Sequence, residues 1–250
     1  MIDAHIHLGK DYVFDGRDVT EEEILEKIDS LNLDGCVVYP ANSNISLEVE
    51  RENNNRVLEF AKKYPSKVYP VCQLNPNYEY EQYYDEVSKY KELGCKGISV
   101  NIEIFGWDAH SHHGKTVFDV ASKLELPLFI TTGIGLPLGQ PIRMYELCKD
   151  YTDVKVVLVH ATKSYIGDQC KTLADVCPNV YLETSIGPNM RSLKGLVNRY
   201  GSKRIIMGSA LPELMEHSIY SFEYSGLSEE DIENATKNTI LEVLNVKGDK

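Results

Sequence analysis

The stretch VKVVLVHATKSYIGDQCKTLADVCPNVYLETS, residues 154–185, decides the fold class. It opens on a run that is apolar at nearly every position from Val154 to Val159. It then passes through a segment where Leu173, Ala174 and Val176 recur at roughly helical spacing, and closes on a second short run, NVYLET, at 179–184. A strand that is apolar on both faces must be covered on both faces. A strand, a helix and a second strand in so short a span make one crossover unit between parallel neighbours. Working outward, the same unit recurs. Strands are predicted at 2–6 (IDAHI), 35–39 (GCVVY), 67–73 (KVYPVCQ), 95–101 (CKGISVN), 127–131 (PLFIT) and 204–208 (RIIMG), with amphipathic segments such as 47–64 between them. Eight such units fill the chain and predict an α/β fold, a (β/α)8 TIM barrel, as a single domain over residues 1–250. A doubly wound open sheet would normally announce itself by a glycine-rich phosphate turn, and the chain has no G-x-G-x-x-G. The last segment, LSEEDIENATKNTILEVLNV, reads as a closing amphipathic helix with Ser228 as its N-cap.

Composition bounds the partners. The chain has 250 residues, 42% of them hydrophobic, with a mean hydropathy of −0.30, which fits an ordinary globule and excludes disordered, collagenous and membrane classes. With 26 Lys+Arg against 38 Asp+Glu the net charge is −12 and the pI about 5.1, which repels phosphate backbones and anionic lipid, and no basic stripe offsets it. A small-molecule substrate is expected, nucleic acid and membrane are not, and association into a homo-oligomer stays open. The six cysteines form no C-x-x-C pair and read as reduced core thiols. The N-terminal stretch lacks the basic-then-apolar build of a signal peptide, so a cytoplasmic location is expected.

In such a barrel, function sits where strands end. Strand one carries His5-Ile6-His7, and side chains two apart on a strand share a face, so both imidazoles are expected in the lumen, an arrangement that suits a divalent metal. Two histidines that merely hydrogen-bond in a polar mouth are the alternative. His160 follows four apolar residues at the end of strand six, where a polar ring marks the exit from the packed lumen; a core histidine satisfied by a carbonyl is its alternative.

The chain resembles the amidohydrolase superfamily, in the branch of metal-dependent hydrolases and decarboxylases related to aminocarboxymuconate semialdehyde decarboxylase. The resemblance spans nearly the whole length: IDAHIHLG is similar to the opening strand, ENNNRVLEFAKKYPSKVYPVCQLNP to the second helix and third strand, GCKGISV and LELPLFITTG to strands four and five, VVLVHAT and RIIMGSALP to strands six and eight, and SEEDIENATKNTILEVLNV to the closing helix. The resemblance implies a metal site in which His5 and His7 are ligands and His160 is a ligand or an acid/base group. Two positions depart from the pattern: Thr131 stands where the strand-five phrase usually has a ligand histidine, and Ala210 where the strand-eight phrase has an aspartate. The second departure removes a ligand and a general base together.

Compensation is sought in the loop FGWDAHSHHGK after strand four, where Asp108, His110, His112 and His113 overhang the mouth of a barrel; a solvated loop is the alternative. Glu183 on strand seven is a further acid, whereas Glu213 suits the first turn of a helix. Arg51, Arg56 and Arg143 are read as ion-paired, Asp3 as an orienting group deeper in the lumen, and the tyrosines around 78–90 as helix packing. The expected metal set is His5, His7 and His160, with His110 and His112 recruited, and the expected catalytic set is His160, Glu183 and Asp108. The cofactor is a divalent ion, zinc first, weakly held or absent. Two functions follow: a metal-dependent hydrolase of a small carbonyl or carboxylate compound with a degenerate site, or a catalytically silent barrel that binds a ligand or partner.

Overall fold

The structure is a computed structural model that describes residues 1–13, 16–42, 46–132, 140–162, 166–187 and 190–246. Strands form where the sequence is apolar and β-branched: Ile2–Lys10, Gly35–Pro40, Val68–Pro70 with Cys72–Gln73, Ile98–Asn101, Leu128–Thr131, Val156–Val159, Val180–Glu183 and Ile205–Ile206 are barrel strands one to eight. Each runs parallel to the next. Strand eight closes on strand one through a parallel bridge of Ile6 with Ala210, with Ala4 N–H donating to Met207 O at 2.9 Å and Ala210 N–H to His5 O at 2.7 Å. The fold is the expected (β/α)8 barrel.

The barrel interior holds Ile2, Val37, Tyr39, Phe129, Val157, Val159 and Ile206, all buried, and the helix Thr239–Val243 plugs its lower end with Ile240 and Val243. Residues of opposite parity, such as Val38, Ile98, Leu128 and Leu158, face the outer helices. Ser228 caps the closing segment by accepting from Asp231 N–H at 3.2 Å. No helix among the described residues is long and apolar enough to cross a membrane, and the six cysteines are all unpaired and buried.

Three local features matter for the mouth. A two-residue strand, Asp18–Val19, pairs antiparallel with Gly9 and Lys10 and folds the end of strand one back on itself. The register between strands one and two slips by one residue between Asp3 and Ile6: Asp3 lies opposite Cys36, and His7 opposite Tyr39. Cys36 and Tyr39 are three apart, so Asp3 faces the helices while His7 faces the lumen. The expected shared parity of Asp3 with the histidines fails because one extra residue inverts the alternation. Strand three pauses at Val71 and its far end leaves strand two: Gln73 exchanges hydrogen bonds with the Asn54 side chain of the helix Leu47–Lys63, at 2.8 and 2.9 Å.

Candidate active site

The mouth is built by strand ends that leave ordinary backbone geometry. Val159 belongs to the lumen and strict alternation would turn His160 toward the helices beside Leu158. His160 instead adopts φ +60°, and its ring enters the mouth. Ile186 (φ +53°) and Ala210 (φ +77°) are also left-handed, and all three border one cavity of about 250 Å³. An L-residue held there costs roughly 1–2 kcal/mol, and the cost is highest for a β-branched side chain such as Ile186. Such strain clusters where function sets the backbone.

His5, fully buried, and His7, at the cavity wall, bring their Nε2 atoms to 3.0 Å of each other. His7 Nδ1 lies 2.9 Å from Pro40 O, which only accepts, so this nitrogen carries the proton and Nε2 carries the lone pair. Pro40 O is available because its regular ladder donor, Gln73 N–H, is held by Asn54. Behind His5, its Nδ1 stands 3.2 Å from Ser185 Oγ, His160 Nδ1 stands 2.6 Å from the same oxygen, and Ser185 Oγ is 2.7 Å from Glu183 Oε2. Glu183 also accepts from His160 N–H at 2.9 Å and from Ser185 N–H at 2.6 Å. Gly208 leaves room for this carboxylate, since a Cβ there would come to 2.2 Å from Glu183 Oε1. On the outer side, Asp3 accepts from the N–H of His5 and of Ser209, each at 3.1 Å, and from the Ser209 hydroxyl, which ties strand one to strand eight.

Burial sets the electrostatics. It pushes the carboxyl groups of Asp3 and Glu183 up to about 7 against the hydrogen bonds that favour their anions, and it holds the His7 ring below the ordinary imidazole range, hence neutral at pH 7. With the His7 lone pair at Nε2, the 3.0 Å contact is a hydrogen bond donated by His5 Nε2–H, and a divalent cation replacing that proton would meet imidazole nitrogens beside buried carboxylates, the donor chemistry of such an ion. The residues therefore fit a metal. Among the described residues, one group of three ligand-capable side chains has its donor atoms within 4.8 Å of one another: His5, His160 and Glu183.

The structure brings His5, His7, His160 and Glu183 together and leaves the loop after strand four apart. Asp108 receives the Arg143 guanidinium through both oxygens, at 2.7 and 2.9 Å, while His110 is exposed and His112 starts the helix His112–Lys123 with its ring against that of His113. Asp108, His110 and His112 are not among the described residues bordering the cavity. Thr131 and Ala210, at the two departures from the family pattern, both border it. Arg51 and Arg56 pair with Glu86 and Asp18, and Glu213 receives Arg17 at 3.1 Å. Nothing in the sequence pattern marks Ser185, although it shares parity with Glu183 one step up strand seven, nor Asn42, which donates to the Asp11 carboxylate at 2.9 Å, nor Asn101, which donates to Asn42 Oδ1 at 3.2 Å.

A family model described as amidohydrolase matches residues 2–241. The fold is similar to that of 5-carboxyvanillate decarboxylase from Sphingomonas paucimobilis (TM-score 0.80, 12% identity, covering 98% of this chain and 99% of that one). It is similar too to 2,6-dihydroxybenzoate decarboxylase from Rhizobium (0.79, 14%, 98% of each). A third is an amidohydrolase from Burkholderia multivorans solved with bound zinc (0.76, 14%, 98% and 99%). At these identities the likeness speaks for the fold alone. No curated protein sequence matches the chain. The family model, by contrast, covers nearly every residue of the barrel, and on that match the chain belongs to the amidohydrolase family of enzymes.

Proposed function

We propose that residues 1–250 form one catalytic unit, a cytoplasmic metal-dependent hydrolase of a small carbonyl compound, with zinc as its ion. The observation that carries this reading is the convergence of His5 Nε2 and His7 Nε2 at 3.0 Å beside a cavity of about 250 Å³, a size below the usual range for drug-sized ligands. His5, His7 and His160 would hold the ion, and a bound divalent ion supplies Lewis-acid polarisation of a carbonyl oxygen. His5 and His7 alone are one protein ligand short of the three that catalytic zinc takes together with its bound water, so the tightness of binding depends on His160.

The chain's own groups divide the remaining work. His160 borders the cavity with Nδ1 engaged by Ser185, so Nε2 is the atom it offers to the ion, and in that role it replaces the acid/base group first expected of it. Glu183 is fully buried behind the two histidines and serves as a positioning residue rather than as the acid first expected. Asp108, paired with Arg143, is left out of the reaction, as are His110 and His112.

A decarboxylase is the second reading. It is favoured by Ala210, which offers no carboxylate to take a proton from water, whereas loss of carbon dioxide needs none taken. The wall speaks against it: Asp11 and Glu103 are acidic, and Arg17, which lines the same cavity, is paired with both Glu23 and Glu213, so its charge is largely offset. The deciding experiment measures zinc content, then turnover of neutral ester, lactone and amide probes beside carbon dioxide release from hydroxybenzoates. Zinc retained by wild type and lost in His7→Ala, with turnover of a neutral probe, supports the hydrolase. Zinc-dependent release of carbon dioxide alone supports the second reading. Zinc-free, inert protein supports the silent barrel.

A further inference from the structure

Ser185 Oγ stands among the three side chains whose ligand atoms gather within 4.8 Å of one another, 3.2 Å from His5 Nδ1, 2.6 Å from His160 Nδ1 and 2.7 Å from Glu183 Oε2, and so fills the deep position they surround. A serine hydroxyl has one proton to give and two lone pairs to receive. In its ionised form the Glu183 carboxylate only accepts, as it does from the N–H groups of His160 and Ser185, and the Ser185 hydroxyl proton is then directed to it as well. The lone pairs of Ser185 Oγ then face ring nitrogens: the nearer, His160 Nδ1 at 2.6 Å, has to be a donor, and His5 Nδ1 becomes one when a cation takes the place of the His5–His7 hydrogen bond at Nε2.

We infer that Ser185 is a positioning residue that fixes His160 in the Nδ1–H tautomer, holds His5 in the same tautomer once a cation replaces its Nε2 proton, and by filling the deep position confines that cation to the Nε2 side. With the ion bound, one buried hydroxyl does for His5 and His160 what Pro40 O does for His7, and all three rings offer Nε2 as the basic nitrogen. The inference rests on the metal reading only for its second half. A ring in the other tautomer would leave a buried Nδ1 lone pair against the Ser185 oxygen and turn an N–H toward the ion, so loss of the hydroxyl weakens the site without removing a ligand.

The test uses histidine labelled with 15N at pH 8 and long-range proton–nitrogen correlation, which separates the two tautomers, together with zinc affinity by chelator competition. In metal-free wild type, His160 is expected as Nδ1–H. In the zinc-loaded protein, both rings are expected to bind through Nε2. Ser185→Ala is expected to mix the His160 tautomers and to weaken zinc binding by roughly 10–100-fold, the usual effect of losing a group that orients a ligand, and Ser185→Thr to restore both. Nε2–H at His160 in wild type, zinc held through Nδ1 of either ring, or Ser185→Ala with unchanged tautomers and affinity would overturn the inference. Wild type that binds no zinc defeats the functional reading alone, because the His160 tautomer in metal-free protein still decides the role of Ser185.

Discussion

Ala210 combines a left-handed backbone, a place at the cavity wall and a backbone bond to His5, so its side chain is the shortest route for new chemistry into the mouth. Aspartate tolerates this conformation better than alanine does, so Ala210→Asp adds a carboxylate without adding backbone strain. We expect higher zinc occupancy and, for a probe that fits, a gain in hydrolysis within the ~10²–10⁴-fold range of a general base. Unchanged metal content and turnover in the variant would show that the carboxylate is not what the site lacks. The sequence exposed His5, His7 and His160 because strand ends are where a barrel places its chemistry. It could not expose the inverted phase of Asp3, because a one-residue slip in register leaves no mark in the pattern. Ser185 stayed hidden for another reason: a serine after a strand is unremarkable until two rings are found on its oxygen.

The helix Leu47–Lys63 shows what periodicity reveals and what it omits. Its apolar positions, Val57, Leu58 and Ala61, are buried as the spacing predicts, yet two polar residues one turn apart, Glu50 and Asn54, are buried with them. Both serve the end of strand three: Asn54 pairs with Gln73, and Glu50 accepts from Asn75 N–H at 3.2 Å. Asn54→Ala strips both partners from the Gln73 backbone, so stability should fall by about 1–3 kcal/mol for each group left unpaired, read from urea unfolding. The freed Gln73 N–H would also compete with His7 for Pro40 O, so zinc affinity should fall with it. Burial pushes the Glu50 carboxyl up to about 7 from an ordinary 4.5. Its folded pKa lies above its unfolded one, so its contribution is fully present below about pH 4.5 and is lost as pH rises through 7. Glu50→Gln should therefore match wild type near pH 5 and exceed it in urea midpoint at pH 8. Equal midpoints at both pH values would show that the side chain does not titrate in this window.

Seen as a whole, the barrel closes beside the candidate site. Strands eight and one meet through Ala4, Ile6 and Ala210, next to the two histidines, and Asp3 binds Ser209 across the same seam. An ion held by strands one and six links groups on opposite sides of that seam, so binding and global stability are coupled. At a hundredfold excess over Kd the gain is about 2.7 kcal/mol, which for a chain of this size raises Tm by about 5–10 °C. Thermal melts with zinc and with chelator check this, and His7→Ala should melt alike in both. The eight-strand plan was legible because every strand is a short apolar run between helices. The strand Asp18–Val19 was not, because two residues set no period.

The six buried thiols give the molecule a built-in clock. They are spread over strands two and three, the segment before strand four, the helix Tyr145–Asp150 and the helix Gly167–Val176 with its C-cap, so no small local opening uncovers them all. A water-soluble thiol reagent added to the folded protein should meet silence, then a slow release of colour whose rate follows the opening of the shell rather than the reactivity of any one sulfur. Where reclosing outruns labelling, that rate reports the open population, and saturating zinc should slow it by the same factor by which it stabilises the fold. A burst of even one thiol equivalent in the native protein would show a gap in the shell.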